Sequence, residues 1–300
     1  MYCGTVRQRL LNASKAEALS FNLKKIIMLN PPASPLKFPR LLLTGAGGNL
    51  GKELRPRLKS YCDVLRVSHR SDLGASAPGE EIMLASLENK EQMMTLMKDV
   101  DAVVHMGGVS TEQPWEPILA SNIVGMVNLY EAARLQGTKR IVFASSNHVT
   151  GFYRQDEVVN TKMPPKPDGF YGLSKAFGED LAELYWARWG IETVSLRIGS
   201  SFVEPKDRRM LASWLSFDDL ERLVVAALTA PIVGHTIIYG MSDNQTTWWD
   251  NTHAKHIGYR PLDSSDIFRN AVEARQPTID GTDKAAIYQG GAFVKASPHG

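Results

Sequence analysis

The sequence has little of what places a chain in a specialised class. Its two cysteines, Cys3 and Cys62, cannot build a disulfide framework or a cysteine-based zinc site, which fits a reducing compartment such as the cytoplasm. Basic and acidic residues nearly balance, 34 against 32 for a net charge of +2, and this argues against a general nucleic-acid or membrane-surface role. No apolar run approaches the roughly 20 residues of a membrane span. The seven histidines are scattered; His253 and His256 offer only two ligands at helical spacing, and no metal site is expected. There is no internal repeat and no low-complexity tract. What is present is ordinary for a globular chain: 300 residues, 43% hydrophobic and 22% charged, enough for one sizeable core or one core with a small cap.

The first 37 residues are poor in acids, with Arg7, Arg9, Lys15, Lys24 and Lys25 facing only Glu17. A transit peptide has this composition; an upstream extension, with Met28 as the natural start, is the reading we favour. The stretch Asn30 to Pro39 carries four prolines and reads as an extended lead-in. Residues 1–38 are therefore expected to be a poorly ordered extension, and 39–300 one domain whose substrate-binding elements come mainly from 200–300.

From residue 40 strands and helices alternate. Arg40 to Gly45, Asp63 to Ser68, Glu81 to Ala85, Asp101 to Gly108, Arg140 to Ser146 and Glu192 to Gly199 read as six strands. Helical periodicity marks Leu50 to Ser60, Ile123 to Gly137 and Tyr171 to Trp189. This alternation predicts an α/β fold, a doubly wound parallel sheet of Rossmann type covered by helices on both faces. Beyond Ser200 the pattern loosens into a small C-terminal, substrate-binding region. Ligands of such sheets bind at the carboxyl ends of the strands, so informative residues should follow each strand.

Three motifs do. Gly45, Gly48 and Gly51 have G-x-x-G-x-x-G spacing, directly after a strand and opening a helix. Glycines let the chain turn tightly and approach a pyrophosphate, whose charge suits a helix N-terminus. Tyr171 and Lys175 form a Y-x-x-x-K that puts both side chains on one helix face. A free tyrosine, with a pKa of about 10, is a poor base at neutral pH, and a nearby ammonium favours its phenolate. Ser146, at the end of the fifth strand, stands 25 residues before Tyr171, where a hydroxyl can bind a reacting oxygen beside the tyrosine. Each motif alone has a bland reading: a packing turn, an exposed pair, a polar strand end. Their order and placement together point to a nicotinamide-dependent enzyme.

The chain resembles the extended-type short-chain dehydrogenases/reductases, and among them the uronate dehydrogenases, along nearly all of residues 40–295. The resemblance rests on LLLTGAGGNLG (41–51), VDAVVHMGGVSTE (100–112), RIVFASSNHVTGFY (140–153), PDGFYGLSKAFGED (167–180), RIGSSFVEPKDRRML (197–211), WWDN (248–251) and YQGGAF (288–293). It implies oxidation of the C1 hydroxyl of cyclic D-galacturonate or D-glucuronate to an aldarolactone, with hydride passing to the cofactor. Tyr171 is then the base, Lys175 lowers its pKa and holds the cofactor ribose, and Ser146 binds the reacting oxygen. By the same resemblance Gly45, Gly48, Asn49, Leu50, Gly51, Leu87, Gly107, Gly108, Lys175 and Ile198 touch the dinucleotide. Ser110, Ser146, Asn147, His148 and Ser200 touch substrate, and Arg209, preferred over Arg208, takes the carboxylate. Asn122 resembles a helix asparagine near the catalytic tyrosine of many relatives, a structural role being equally open. Trp248 and Trp249 are expected to pack rather than bind sugar. Relatives form homo-oligomers, and one is expected here.

The chain departs from this pattern after its second strand. Ser68-His69-Arg70 stands where the family carries an acid that binds the adenosine ribose and favours NAD, and Ser86 replaces a second acid near the adenine. Both losses remove negative charge. The expectation is therefore NAD or NADP, with Ser68, His69, Arg70 and Ser86 at the adenosine end and Arg66 possible only if strand alternation turns it inward. The competing readings are a nucleotide-sugar epimerase or dehydratase and a non-catalytic dinucleotide-binding sensor. Asn147-His148 in place of a dehydratase's acidic pair, and the presence of both Tyr171 and Lys175, argue against them.

Overall fold

Parallel strands covered on both faces read as continuous apolar runs, and Leu41, Leu42 and Leu43 have no exposure at all. In the computed structural model, which describes residues 37–276, 278 and 280–296, they lie in β1 (Phe38–Thr44). The proposed extension, apart from Lys37 and Phe38, lies outside the described residues. After β1 come α1 (Asn49–Leu58), β2 (Cys62–Ser68), β3 (Glu80–Ile82), α2 (Lys90–Leu96), β4 (Ala102–His105), α3 (Gly125–Gln136), β5 (Arg140–Ser146), β6 (Val159–Asn160), α4 (Phe170–Trp189), β7 (Glu192–Ile198), α5 (Phe217–Thr229), β8 (His235–Gly240) and β9 (Trp249–Asp250).

Seven strands form one sheet in the order β3-β2-β1-β4-β5-β7-β8, every pair parallel. This is the doubly wound Rossmann-type fold expected from the sequence. The C-terminal region differs from the expectation. Residues beyond Ser200 do not simply leave the sheet: α5 and β8 add a further strand–helix–strand crossover, and Thr193 to Ile198 pair in register with His235 to Gly240. The run is short and opens on a histidine, so its apolar signal is weak. β6 and β9 form a separate two-stranded ribbon.

Two apolar layers enclose the sheet. Leu54 and Leu58 of α1 and Leu220, Leu223 and Val224 of α5 cover one face. Met93 and Leu96 of α2, Met126 and Leu129 of α3 and Leu181 and Ala182 of α4 cover the other. The chain winds outward from β1 to β3 and then returns to β4 on the other side of β1, so the sheet's crevice opens between β1 and β4. Register aligns the strand ends: Thr44 pairs with both Ser68 and His105, and Ser146 with Ile198. The short segments after these residues therefore converge on one edge.

Candidate active site

The glycine turn is built for close approach. Gly45 has φ +68°, and a Cβ there would lie 2.5 Å from the Met106 backbone. A Cβ at Gly51 would meet the Gly45 oxygen at 2.1 Å. Helix α1 then starts behind Gly48 with no side-chain cap, so its first N–H groups, from Asn49 and Leu50 onward, face the turn as an anion site. Across the crevice Gly108, at φ +121°, has room for no Cβ, since Asn122 Oδ1 would be 2.6 Å away. Leu87 packs against the positions of Gly107 and Gly125. This cradle fits a dinucleotide.

After β2 the His69 ring lies over the glycine turn: a Cβ on Gly47 would be 2.7 Å from it. Burial, and then the charges of Arg70 and Lys52, push the His69 imidazole below its ordinary pKa. Arg70 is exposed and Ser68 buried. The Ser86 amide donates to Gln92 (2.8 Å). Arg66 points away, spending its guanidinium on Glu81 and the carbonyls of Leu96 and Lys98.

Tyr171 and Lys175 stand one turn apart on α4, both buried. The Ser146 hydroxyl lies close enough to Tyr171 to favour its phenolate, and Ser146 Oγ accepts from the His148 amide at 3.2 Å. Lys175 Nζ donates to the Ala144 carbonyl (2.8 Å) and sits 5.6 Å from the Tyr171 ring centre. Burial dominates both groups. It pushes the tyrosine up to about 12, partly offset by Ser146, and the lysine down to about 8. The downward pull of Lys175 expected from the spacing is not among the effects that set the Tyr171 pKa; loss of solvent dominates and the Asp168 charge adds to the rise. Beneath them His105 bonds Thr44 at 2.7 Å, and burial with the nearby Lys175 lowers its pKa to about 3, keeping it neutral.

Glu112, which ends the quoted 100–112 segment and was given no role there, fixes this helix. Gly169 supplies no side-chain cap; instead the Glu112 carboxylate accepts from the amides of Phe170 (2.8 Å) and Tyr171 (3.0 Å). Such a carboxylate satisfies two helix-start donors and complements the helix dipole. Asn122, in a π-helical turn over Leu119–Val124, bonds both backbone groups of Val109 and the Ser174 hydroxyl. Its role in the protein alone is to tie the β4 loop to α4.

The remaining residues meet at the ends of β5 and β7. Arg209 hydrogen-bonds neutral acceptors: the Gln289 carbonyl, Ser200 Oγ (3.3 Å) and, at 2.8 Å, Asn147 Oδ1, while Asn147 Nδ2 donates to the Ile198 carbonyl. Burial depresses its pKa against the pull of Asp207 and Asp168. Arg208 instead binds Gln276 and Glu273 at the surface. His148 stacks on Phe293 at 3.8 Å and lies edge-on to Tyr171 at 5.8 Å. Ser110 is exposed on the loop before Glu112. Trp248 and Trp249 are buried, Trp249 stacking on Tyr239 at 4.9 Å. Among the described residues no group of three or more His, Cys, Asp or Glu is placed to hold a metal ion, and no helix is long and apolar enough to cross a membrane.

Residues 41–235 match the NAD dependent epimerase/dehydratase family. The chain belongs to this family. Within it the chain is similar to uronate dehydrogenases. The uronate dehydrogenase of Pseudomonas putida is 57% identical over 262 residues, 87% of this chain and 97% of the relative. The solved glucuronic acid dehydrogenase of Chromohalobacter salexigens shares 49% identity and a TM-score of 0.85, over 87% of this chain and 98% of that one. The Agrobacterium tumefaciens uronate dehydrogenase, solved as a tyrosine-to-alanine mutant complexed with NAD, gives 42% identity and a TM-score of 0.85 over the same shares.

Proposed function

We propose that the chain oxidises the C1 hydroxyl of a cyclic hexuronate, D-galacturonate or D-glucuronate, to an aldarolactone. The observation that carries this reading is Arg209: a partly buried guanidinium whose hydrogen-bond partners among the described residues are all neutral, one of them Asn147, the residue after Ser146. A planar cation of this kind suits a carboxylate, which it can take bidentately. Ser146 and Tyr171 hold the C1 oxygen, and Tyr171 Oη takes its proton. Lys175 stays close enough to offset the phenolate charge and to bond the nicotinamide ribose. The dinucleotide, when bound, supplies the hydride acceptor and a further positive charge. The same reading places the protein in the cytoplasm as a homo-oligomer, without nucleic-acid or membrane partners. Adding galacturonate or glucuronate with NAD should raise absorbance at the NADH band, while galactose or glucose should give at most a few per cent of that rate. Equal rates with the neutral sugars would overturn the role of Arg209.

The adenosine end, on the same reading, accepts NADP as well as NAD. Support comes from the absence of an acid at His69 and Ser86 and from the gathering of Lys52, His69 and Arg70 at one edge of the turn. The ratio of kcat/KM for NAD over NADP should be well under a hundredfold. His69→Asp should lower kcat/KM for NADP by about tenfold or more, since a like charge beside the 2′-phosphate costs at least about 1.4 kcal/mol, and should spare NAD. A native ratio of a hundred or more in favour of NAD would sink this.

A further inference from the structure

Asp168 lies two residues before α4, with a side chain that has no solvent exposure. Its Oδ2 is 2.6 Å from His148 Nδ1, and its Oδ1 has no hydrogen-bond partner. A desolvated carboxylate with unmade hydrogen bonds is costly, yet the chain makes room for it. A Cβ on Gly151 would lie 1.9 Å from Oδ2, one on Gly290 2.0 Å from Oδ2, and one on Gly172 3.1 Å from Oδ1. Gly151 has φ −63° and Gly290 φ −68°, conformations any residue adopts. At these two positions the demand for glycine comes from the space the Asp168 carboxylate occupies. Phe293 stacks on the face of the His148 ring. Nε2 is the edge left over: it has no protein partner among the described residues and is not among the buried unpaired atoms.

We propose that Asp168 is a positioning residue. It holds the Nδ1 proton of His148 and the tilt of the ring, so that Nε2 accepts a hydrogen bond from a ring hydroxyl of the sugar while Arg209 takes the carboxylate. This rests on the uronate reading above. A carboxylate on one imidazole nitrogen fixes the tautomer and thereby the polarity of the other. The division of labour follows: a donor-only guanidinium for the anion, an acceptor nitrogen for a hydroxyl.

The test is isotope-edited imidazole NMR at pH 8, with His148 identified by the signal missing from His148→Gln. In the native protein His148 should carry its proton on Nδ1. In the isosteric Asp168→Asn, whose amide can donate to Nδ1, the proton should move to Nε2, and KM for galacturonate should rise about tenfold or more. Gly290→Ala, whose backbone tolerates alanine but whose Cβ displaces the carboxylate, should reproduce that kinetic loss, and it carries the test if Asp168→Asn does not fold. A native His148 protonated on Nε2, or unchanged KM in either folded variant, would overturn the proposal. A native protein inert towards uronates would defeat the functional reading alone, and the imidazole spectrum would still decide the assignment of Asp168.

Discussion

Tyr171→Phe should lower kcat/KM for the uronate by about 10²–10⁴-fold, the range general-base assistance supplies, and leave dinucleotide affinity within about threefold. The ring itself is held independently of its hydroxyl, by His148 edge-on and by Phe293 at 6.1 Å. Removal of Oη therefore takes away the proton acceptor whose phenolate Ser146 favours without opening the pocket. Because burial holds the tyrosine well above its ordinary pKa in the protein alone, the base form depends on positive charge brought to it. Steady-state kinetics and a fluorescence titration with NADH check both halves. Retention of a tenth or more of native activity would refute the assignment of the base.

The second large effect is on stability. Glu179→Gln should cost about 3–5 kcal/mol, the loss seen when one partner of a buried ion pair is removed. That corresponds to a fall of roughly 10 °C in melting temperature for a domain of this size. Arg197 on β7 and Glu179 on α4 are 2% and 4% exposed at their side chains and meet through two hydrogen bonds, 3.0 and 2.8 Å. Ser145 donates to the same carboxylate at 2.6 Å, and Arg197 reaches the Tyr239 hydroxyl at 3.0 Å, which in turn bonds Thr150. The network lies directly behind Ser146 and Asn147, so it fixes the backbone that carries the reacting groups. Thermal or urea denaturation measures the loss; a change below about 1 kcal/mol would show that the pair contributes little.

The parts of the fold legible in the sequence were those with a local signal. Apolar runs ending in glycine or serine located β1, β2, β5 and β7, and the four-residue spacing of Tyr171 and Lys175 placed both on one face. The parts that were not legible depend on contacts distant in sequence. Glu112 caps a helix that starts 58 residues later, and nothing in the tripeptide around it differs from an exposed loop. Asp168 is read easily as the acid of a Pro-Asp-Gly turn; its meaning comes from Gly151 and Gly290, which the chain brings to it from opposite directions. Phe293 and Gln289 belong to the YQGGAF segment, quoted for its resemblance without a role, and they turn out to seat His148 and Arg209. Arg197 and Glu179 each look like ordinary surface charges until β7 and α4 are packed together. β8 escaped notice because its apolar stretch is only Ile237 to Tyr239, between polar ends.

In the proposed reaction a hexuronate loses a hydride from C1 and a proton from the C1 hydroxyl. The most direct test is to follow galacturonate labelled with carbon-13 at C1 by NMR during turnover with NAD. The anomeric signals should give way first to a lactone carbonyl, with one NADH formed per molecule converted. Inversion at another ring carbon without net NADH, as a nucleotide-sugar type of epimerase would produce, or NADH formed while the anomeric carbon stays intact, would contradict it.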